Sequence, residues 1–280
     1  MSRIAVIGIV GNSVFMNADH FHEKGETVVA DSVYEEVGGK GSNQAVAAVR
    51  MGAQVSFLAA IGDDAGGEIC RQVMQENGVD GVYCIKPGKR TPFAYILKDK
   101  HGENRVTEYK SAELTPEDVQ AFEPQIANAD ILMLQHEVPH EVNLEAALIA
   151  RKHGVPVILN PAPFRPVPEE LTELVEYVTP NEHEAKGLEG QVFPNVIKTL
   201  GDKGCLINDQ FPINAICVKA VDTTGAGDTF NGTMAVCLAE GMDLQTACRY
   251  AVVASGISVS RHYVLKAIPF RSEVEAILCK

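Results

Sequence analysis

Short apolar runs recur along this chain at intervals of a few tens of residues: Ile4 to Val10, Val55 to Ile61, Ile131 to Leu134, Val155 to Leu159, Tyr177 to Thr179, Val196 to Leu200 and Cys205 to Ile207. Each has the length of a strand and is apolar on both faces, as a strand covered from both sides must be. Between several of them lie segments with helical spacing, Glu68 to Asn77, His140 to His153 and Glu169 to Glu176, some closed by a following glycine. This alternation predicts an α/β fold with a doubly wound, mostly parallel sheet and helices on both faces. Ligands of such sheets gather at the carboxyl ends of the strands. Glu26 to Val37 and Phe93 to Tyr109 differ, because polar and apolar residues alternate along them and Lys100-His101-Gly102-Glu103-Asn104 breaks the second as a hairpin loop would. On pattern alone they read as antiparallel strands, the bland placement being an extension of the main sheet.

The bulk properties narrow the class. A chain of 280 residues, 46% of them hydrophobic, suffices for one large α/β domain over 1–280 without a second core. The net charge of −13 argues against nucleic acid or an anionic membrane surface as the main partner. It does not exclude a nucleotide, since local amides and one or two cations outweigh a distant acidic surface. The first residues enter an apolar strand without a signal-peptide layout, and no apolar run approaches the ~18 residues of a membrane helix. A soluble, cytoplasmic protein is expected. The 7 cysteines form no Cys-x2-Cys pair and read as small apolar side chains in a reducing compartment.

Two glycine clusters carry the candidate chemistry. In the first, a strand-like run from Ala215 to Val221 stops at Asp222-Thr223-Thr224-Gly225-Ala226-Gly227-Asp228, and an amphipathic helix follows. That arrangement aims free backbone N–H groups and the positive end of a helix dipole at one point, with the Asp228 carboxylate beside it. It suits a transferring phosphoryl group, with the amides of Gly225, Ala226 and Gly227 as an anion hole and Asp228 free to take a proton from a hydroxyl nucleophile. No lysine sits in the turn, so it is not a P-loop. The bland alternative is an ordinary helix start with Asp228 as its dipole partner. In the second cluster, Gly38-Gly39-Lys40-Gly41-Ser42-Asn43-Gln44 precedes a helix pattern from Ala45 to Met51, stopped by Gly52. Lys40 supplies a mobile cation there and Asn43 a hydrogen-bonder of both kinds.

These two segments resemble the paired signatures of ribokinase-like (PfkB) carbohydrate kinases. Asn160-Pro161-Ala162-Pro163, Thr179-Pro180-Asn181-Glu182-His183-Glu184 and Thr199-Leu200-Gly201-Asp202-Lys203-Gly204 resemble further family landmarks, in the same order. The resemblance implies an ATP-dependent kinase that phosphorylates a hydroxyl of a small sugar, ribose or a related pentose or hexose, with Mg²⁺. It implies that the alternating strands, roughly 13–37 and 90–110, form a lid over the sugar through which two subunits pair as a homodimer. Asp228 would then be the general base; Gly39, Asn43, Glu137 and Ser13 would meet the sugar; and Lys40, Asn181, Thr199, Gly201 and Gly204 would meet the nucleotide. Glu184 would organise Mg²⁺ through water, and Asp222 and Thr224 would form half of a monovalent-cation site. Asn181 and Glu184 also stand at capping-box spacing, and the Thr199 loop also reads as a plain strand-to-strand turn.

The chain departs from the family pattern at several points. The early Asn and Asp that grip sugar hydroxyls fall on Gly11 and Ser13, and losing such a carboxylate weakens ribose binding by about 1.5 to 3 kcal/mol. Asn12 is a candidate to compensate. Arg261 to Ala267 replaces the loop that would complete the adenine pocket and the K⁺ site, which puts potassium dependence in doubt. A nucleoside kinase, with Val14, Phe15 and Phe93 packed on a base, and a non-catalytic sugar-binding relative stay open as alternatives. A dinucleotide-dependent oxidoreductase is disfavoured, because no Gly-x-Gly-x-x-Gly follows the first strand.

Overall fold

The computed structural model describes residues 1–101 and 103–279; Gly102, in the hairpin loop, lies outside the described residues. Its strands are β1 (Arg3–Ile7), β2 (Gly11–Asn17), β3 (Ser32–Gly38), β4 (Gln54–Gly62), β5 (Asp80–Lys86), β6 (Phe93–Lys98), β7 (Asn104–Tyr109), β8 (Ile131–Gln135), β9 (Val157–Asn160), β10 (Tyr177–Val178), β11 (Asn195–Thr199), β12 (Cys205–Ile207) and β13 (Phe211–Ile213). They form two sheets. The larger has the order β13-β12-β11-β10-β9-β8-β1-β4-β5, parallel from β11 to β5 and antiparallel at the β12 and β13 edge. The smaller has the order β3-β2-β6-β7. The apolar runs of the sequence therefore become a buried parallel sheet, and the alternating segments become a separate layer rather than an extension of it.

Alternation along the central strand assigns the two cores. Ile4 and Val6 of β1 join one apolar cluster, with Val46, Met234 and Ala251 of the helices on that face. Ala5 and Ile7 join the other, with Leu132, Val142 and Phe122. Strand order reverses around β1, where successive connections leave in opposite directions, and the site is built at the carboxyl end of that strand.

Several sequence expectations need correction. Ala215 to Val221 is not a strand: β13 ends at Ile213, and the following residues carry no ladder bonds. Val218 and Val221 are exposed, and the N–H groups of Val221 and Asp222 both donate to Val259 O, so this segment is tied to a helix end. Glu26 to Val37 is a strand only from Ser32, and Glu169 to Glu176 is helical only over Glu169–Thr172. β5 and β2 lack a clear signal, because β5 is a half-exposed edge and β2 begins at glycine. The helix expected from Ala45 starts earlier, at Lys40, and runs Lys40–Arg50. Among the described residues no helix is long and apolar enough to cross a membrane.

Candidate functional site

Two helix N-termini meet at the carboxyl end of β1. Asp228 lies in the first turn of the helix Ala226–Ala239, and Asn43 and Gln44 lie in the first turns of the helix Lys40–Arg50. Asn43 Nδ2 donates to one Asp228 oxygen at 2.9 Å and Gln44 Nε2 to the other at 3.1 Å. The helices cross closely at Gly232, where an added Cβ would stand 2.5 Å from Gln44 O. Asp228 is 6% exposed, yet its partners are neutral amides and no salt bridge locks it among the described residues. Burial pushes its carboxyl above the ordinary Asp range, while the Lys40 charge and the two amides pull the other way.

The amide that faces Asp228 is itself held. Gln135 Nε2 donates to Gln44 Oε1 at 2.8 Å, which turns the Gln44 nitrogen toward the carboxylate. On the far side, Thr179 Oγ1 donates to Asn231 Oδ1 and Asn231 Nδ2 donates to Gly227 O. Sequence reasoning missed Gln44 and Gln135 as functional residues. Gln44 stood in the quoted glycine cluster, but only the fold shows which carboxylate it faces.

Above Asp228 the turn runs through Asp222, whose Oδ1 accepts from Thr224 N at 3.0 Å and Thr224 Oγ1 at 2.7 Å. Gly225 caps the helix at φ 75°, a left-handed value glycine adopts without cost, and an added Cβ would lie 2.6 Å from Val264 Cγ1. The Ala226 N–H is directed inward to Thr223 O, which removes it from the expected anion hole. The N–H groups of Gly225, Gly227 and Asp228 have no partner among the described residues. Gly227 is exposed, and nothing lies within 4 Å of where its Cβ would be.

At the start of the Lys40 helix, a cavity of about 70 Å³ is lined by Ser13, Gly39, Phe93, Glu108, Lys110 and Glu137, among others. Glu137 Oε2 accepts from Lys40 N at 2.7 Å, so its carboxylate caps the Lys40 helix from beyond the end of β8. Burial raises Glu137 to about 7, Asp228 adds to the rise, and Lys40 opposes it. Burial also disfavours the Lys40 charge, but Asp228, Glu137 and Glu184 outweigh it and hold that ammonium above its ordinary pKa. Asn43 Oδ1 is buried without a partner among the described residues, an acceptor left over beside Asp228. Asn12, the candidate to compensate for the missing carboxylate, also lines this cavity, and its Nδ2 donates to Gly66 O at 3.2 Å. Glu108 was missed in the sequence. It sits in the cross-strand row Ser13, Ala94, Glu108, which only strand register reveals. Of the apolar residues named for a base, Phe93 lines the cavity, while Phe15 is buried against Tyr34.

On the other side of the turn, Asn181 and Glu184 form the capping box of the helix Glu182–Gly187: Asn181 Oδ1 accepts from the His183 and Glu184 amides, and Glu184 Oε2 accepts from Asn181 N. Burial raises the Glu184 carboxyl, with Asn181 N and Lys40 opposing. Thr199 ends β11 beside Asn181, and Gly201–Lys203 and Gly204 form a short 3-10 turn leading into β12. A further cavity of about 470 Å³, bordered by Arg3, Gln54 and Asn128, opens at the amino end of β1, remote from every group above.

Comparison with known proteins agrees with this geometry. Residues 1–271 match the family model described as pfkB family carbohydrate kinase. The chain is 37% identical to a ribokinase of Bacillus subtilis, over 99% of this chain and 100% of that one. Its fold is similar to the crystal structure of a Thermotoga maritima ribokinase, with TM-score 0.90 and 35% identity over all of both chains. It is also similar to an Arabidopsis thaliana ribokinase complexed with ribose and ATP, with TM-score 0.88 and 26% identity over 99% of each chain. The chain belongs to the pfkB family of carbohydrate kinases, phosphotransferases that act on a sugar hydroxyl.

Proposed function

We propose that this protein is an ATP-dependent sugar kinase whose first candidate substrate is ribose, and that Asp228 is its general base. The observation that carries the reading is the placement of Asp228: two oriented amides hold its carboxylate directly beneath a turn whose Gly225, Gly227 and Asp228 N–H groups lack partners. The sugar hydroxyl loses its proton to Asp228 as its oxygen bonds to the γ-phosphorus, and ADP departs with the electrons of the broken P–O bond. The turn amides stabilise the charge that develops on the transferring group. Lys40, with its raised pKa, keeps a positive charge beside both the carboxylate and the incoming phosphates.

Gly39, Ser13, Asn43, Glu137 and Glu108 are the groups placed to meet sugar hydroxyls. Thr199, Gly201, Gly204 and Asn181, grouped at the ends of β10 and β11, are read as the residues that meet the nucleotide. Mg²⁺, when bound, would neutralise charge on the nucleotide phosphates. Such a hard ion is held mainly by phosphates and water, with Glu184, whose carboxylate faces the Lys40 charge, as the candidate to organise that water.

The small sheet is read as a lid over the sugar that also pairs two subunits. One face carries Met16, Val33, Leu97 and Tyr95, with Val33 59% and Tyr95 46% exposed, alongside Glu35 and Arg105 in the same rows, a face with apolar area and both charges that a second copy would cover. An assay of ADP release on a panel of ribose, deoxyribose, hexoses and nucleosides tests the activity. Turnover with a pentose supports the reading; turnover with none of the panel contradicts it.

A further inference from the structure

The Asp222 carboxylate is already engaged at both oxygens, and one of its partners is a cation. Its Oδ1 is committed to Thr224 N and Oγ1, and its Oδ2 accepts from Lys98 Nζ at 2.8 Å. Lys98 ends β6 in the small sheet and is 124 residues away in sequence. The two side chains are only 15% and 14% exposed, so the pair is poorly screened by solvent. The ammonium also lies 5.1 Å from the centre of the Phe15 ring, in the same sheet.

A second connection runs beside it. Val264 N donates to Glu36 Oε2 at 3.1 Å, and Tyr263, at φ 73°, meets Tyr34 edge-on at 5.2 Å. Val264 in turn packs on Gly225. Residues 261–267 thus wedge between the small sheet and the phosphate-facing turn. Glu36 and Asp222 bring two acidic groups to this corner. Lys98 and Lys266 are the cations near them, and Lys266 lies over the Tyr263 ring.

We infer that Lys98 is a positioning residue, a tethered cation lent by the lid to Asp222 that orders the Asp222–Gly225 turn in place of a monovalent metal ion. Nucleotide phosphates at the turn then depend on lid closure, because opening the lid withdraws the charge that fixes Asp222. The inference rests on the reading of this turn as the phosphate holder.

Titration of the full chain with ADP, read by calorimetry in potassium buffer and in choline buffer, tests it. The wild type is expected to bind ADP equally in both. Lys98→Met should bind about tenfold more weakly in choline, the scale of a lost charge-assisted hydrogen bond, and recover part of that loss in potassium. Lys98→Arg should stay near wild type, which shows that charge rather than fold is read out. A wild type that tightens several-fold in potassium overturns the inference without any substitution. So does a Lys98→Met variant that binds normally in choline, or weakens with no recovery in potassium. A wild type that binds no ADP in either buffer overturns instead the phosphate-holding reading beneath it.

Discussion

Asp228, Gln44 and Glu137 define the chemistry at the scale of single residues, and each makes a distinct pH prediction. A general base works ionised, and burial holds Asp228 above the usual carboxylate range, so the acid limb of kcat/KM is expected above the pH at which an exposed aspartate would titrate. Gln44→Leu removes a donor that lowers this pKa, so the limb should move to higher pH and turnover at neutral pH should fall. A pH–rate profile checks this, and a fall in rate with an unmoved limb would contradict it. Glu137 affects stability instead. Its pKa is raised from 4.5 to about 7, so the folded state holds a proton the unfolded chain has lost, and stability falls as pH rises between those values. Glu137→Gln should remove that loss, worth at most roughly 3 kcal/mol at about 1.4 kcal/mol per pH unit. Comparing wild-type and variant unfolding at pH 5 and pH 8 measures it.

At the scale of elements, the site depends on how closely two helix starts approach. Gly232→Ala would place a Cβ 2.5 Å from Gln44 O and 2.6 Å from Ala47 Cβ, both on the Lys40 helix. Separating the helices should destabilise the protein by about 1–3 kcal/mol and lower kcat more than nucleotide affinity, because the Gln44 and Asn43 amides retreat from Asp228. Chemical denaturation with parallel kinetics separates the two effects. This is also where the limit of the sequence lies. The parallel strands were legible because burial on both faces leaves uninterrupted apolar runs such as Ile131 to Leu134. The site motifs were legible because glycine clusters mark places where backbone meets ligand or backbone. Ala215 to Val221 misled because only Ala215 and Ile216 pack on the core, while Val218 and Val221 are exposed and the segment pairs with no strand among the described residues. The partners of Asp228 and Asp222 were illegible because Gln44 and Lys98 reach them across 184 and 124 residues, and contacts so distant follow only from strand register and helix crossing.

At the scale of the whole molecule, the large sheet is the platform of the fold and the small sheet is proposed as its cover. Lys98 on Asp222 and Glu36 on Val264 join the two beside the Asp222–Gly225 turn, while Glu108 and Ser13 border the cavity proposed to take the sugar. The outer face of the small sheet is expected to pair two copies. Tyr95→Glu should shift a dimer toward monomer in sedimentation experiments, because a charge on that face would be buried unpaired. A wild type that sediments as a monomer at all accessible concentrations would contradict this pairing.

The most direct test of the central assignment is the turnover of Asp228→Asn, measured by ADP release with ribose, alongside calorimetric binding of ribose and ADP. The side chain keeps its size but cannot accept the hydroxyl proton, so turnover should fall by about 10²- to 10⁴-fold while both ligands still bind. Near-normal turnover in that variant would contradict the account.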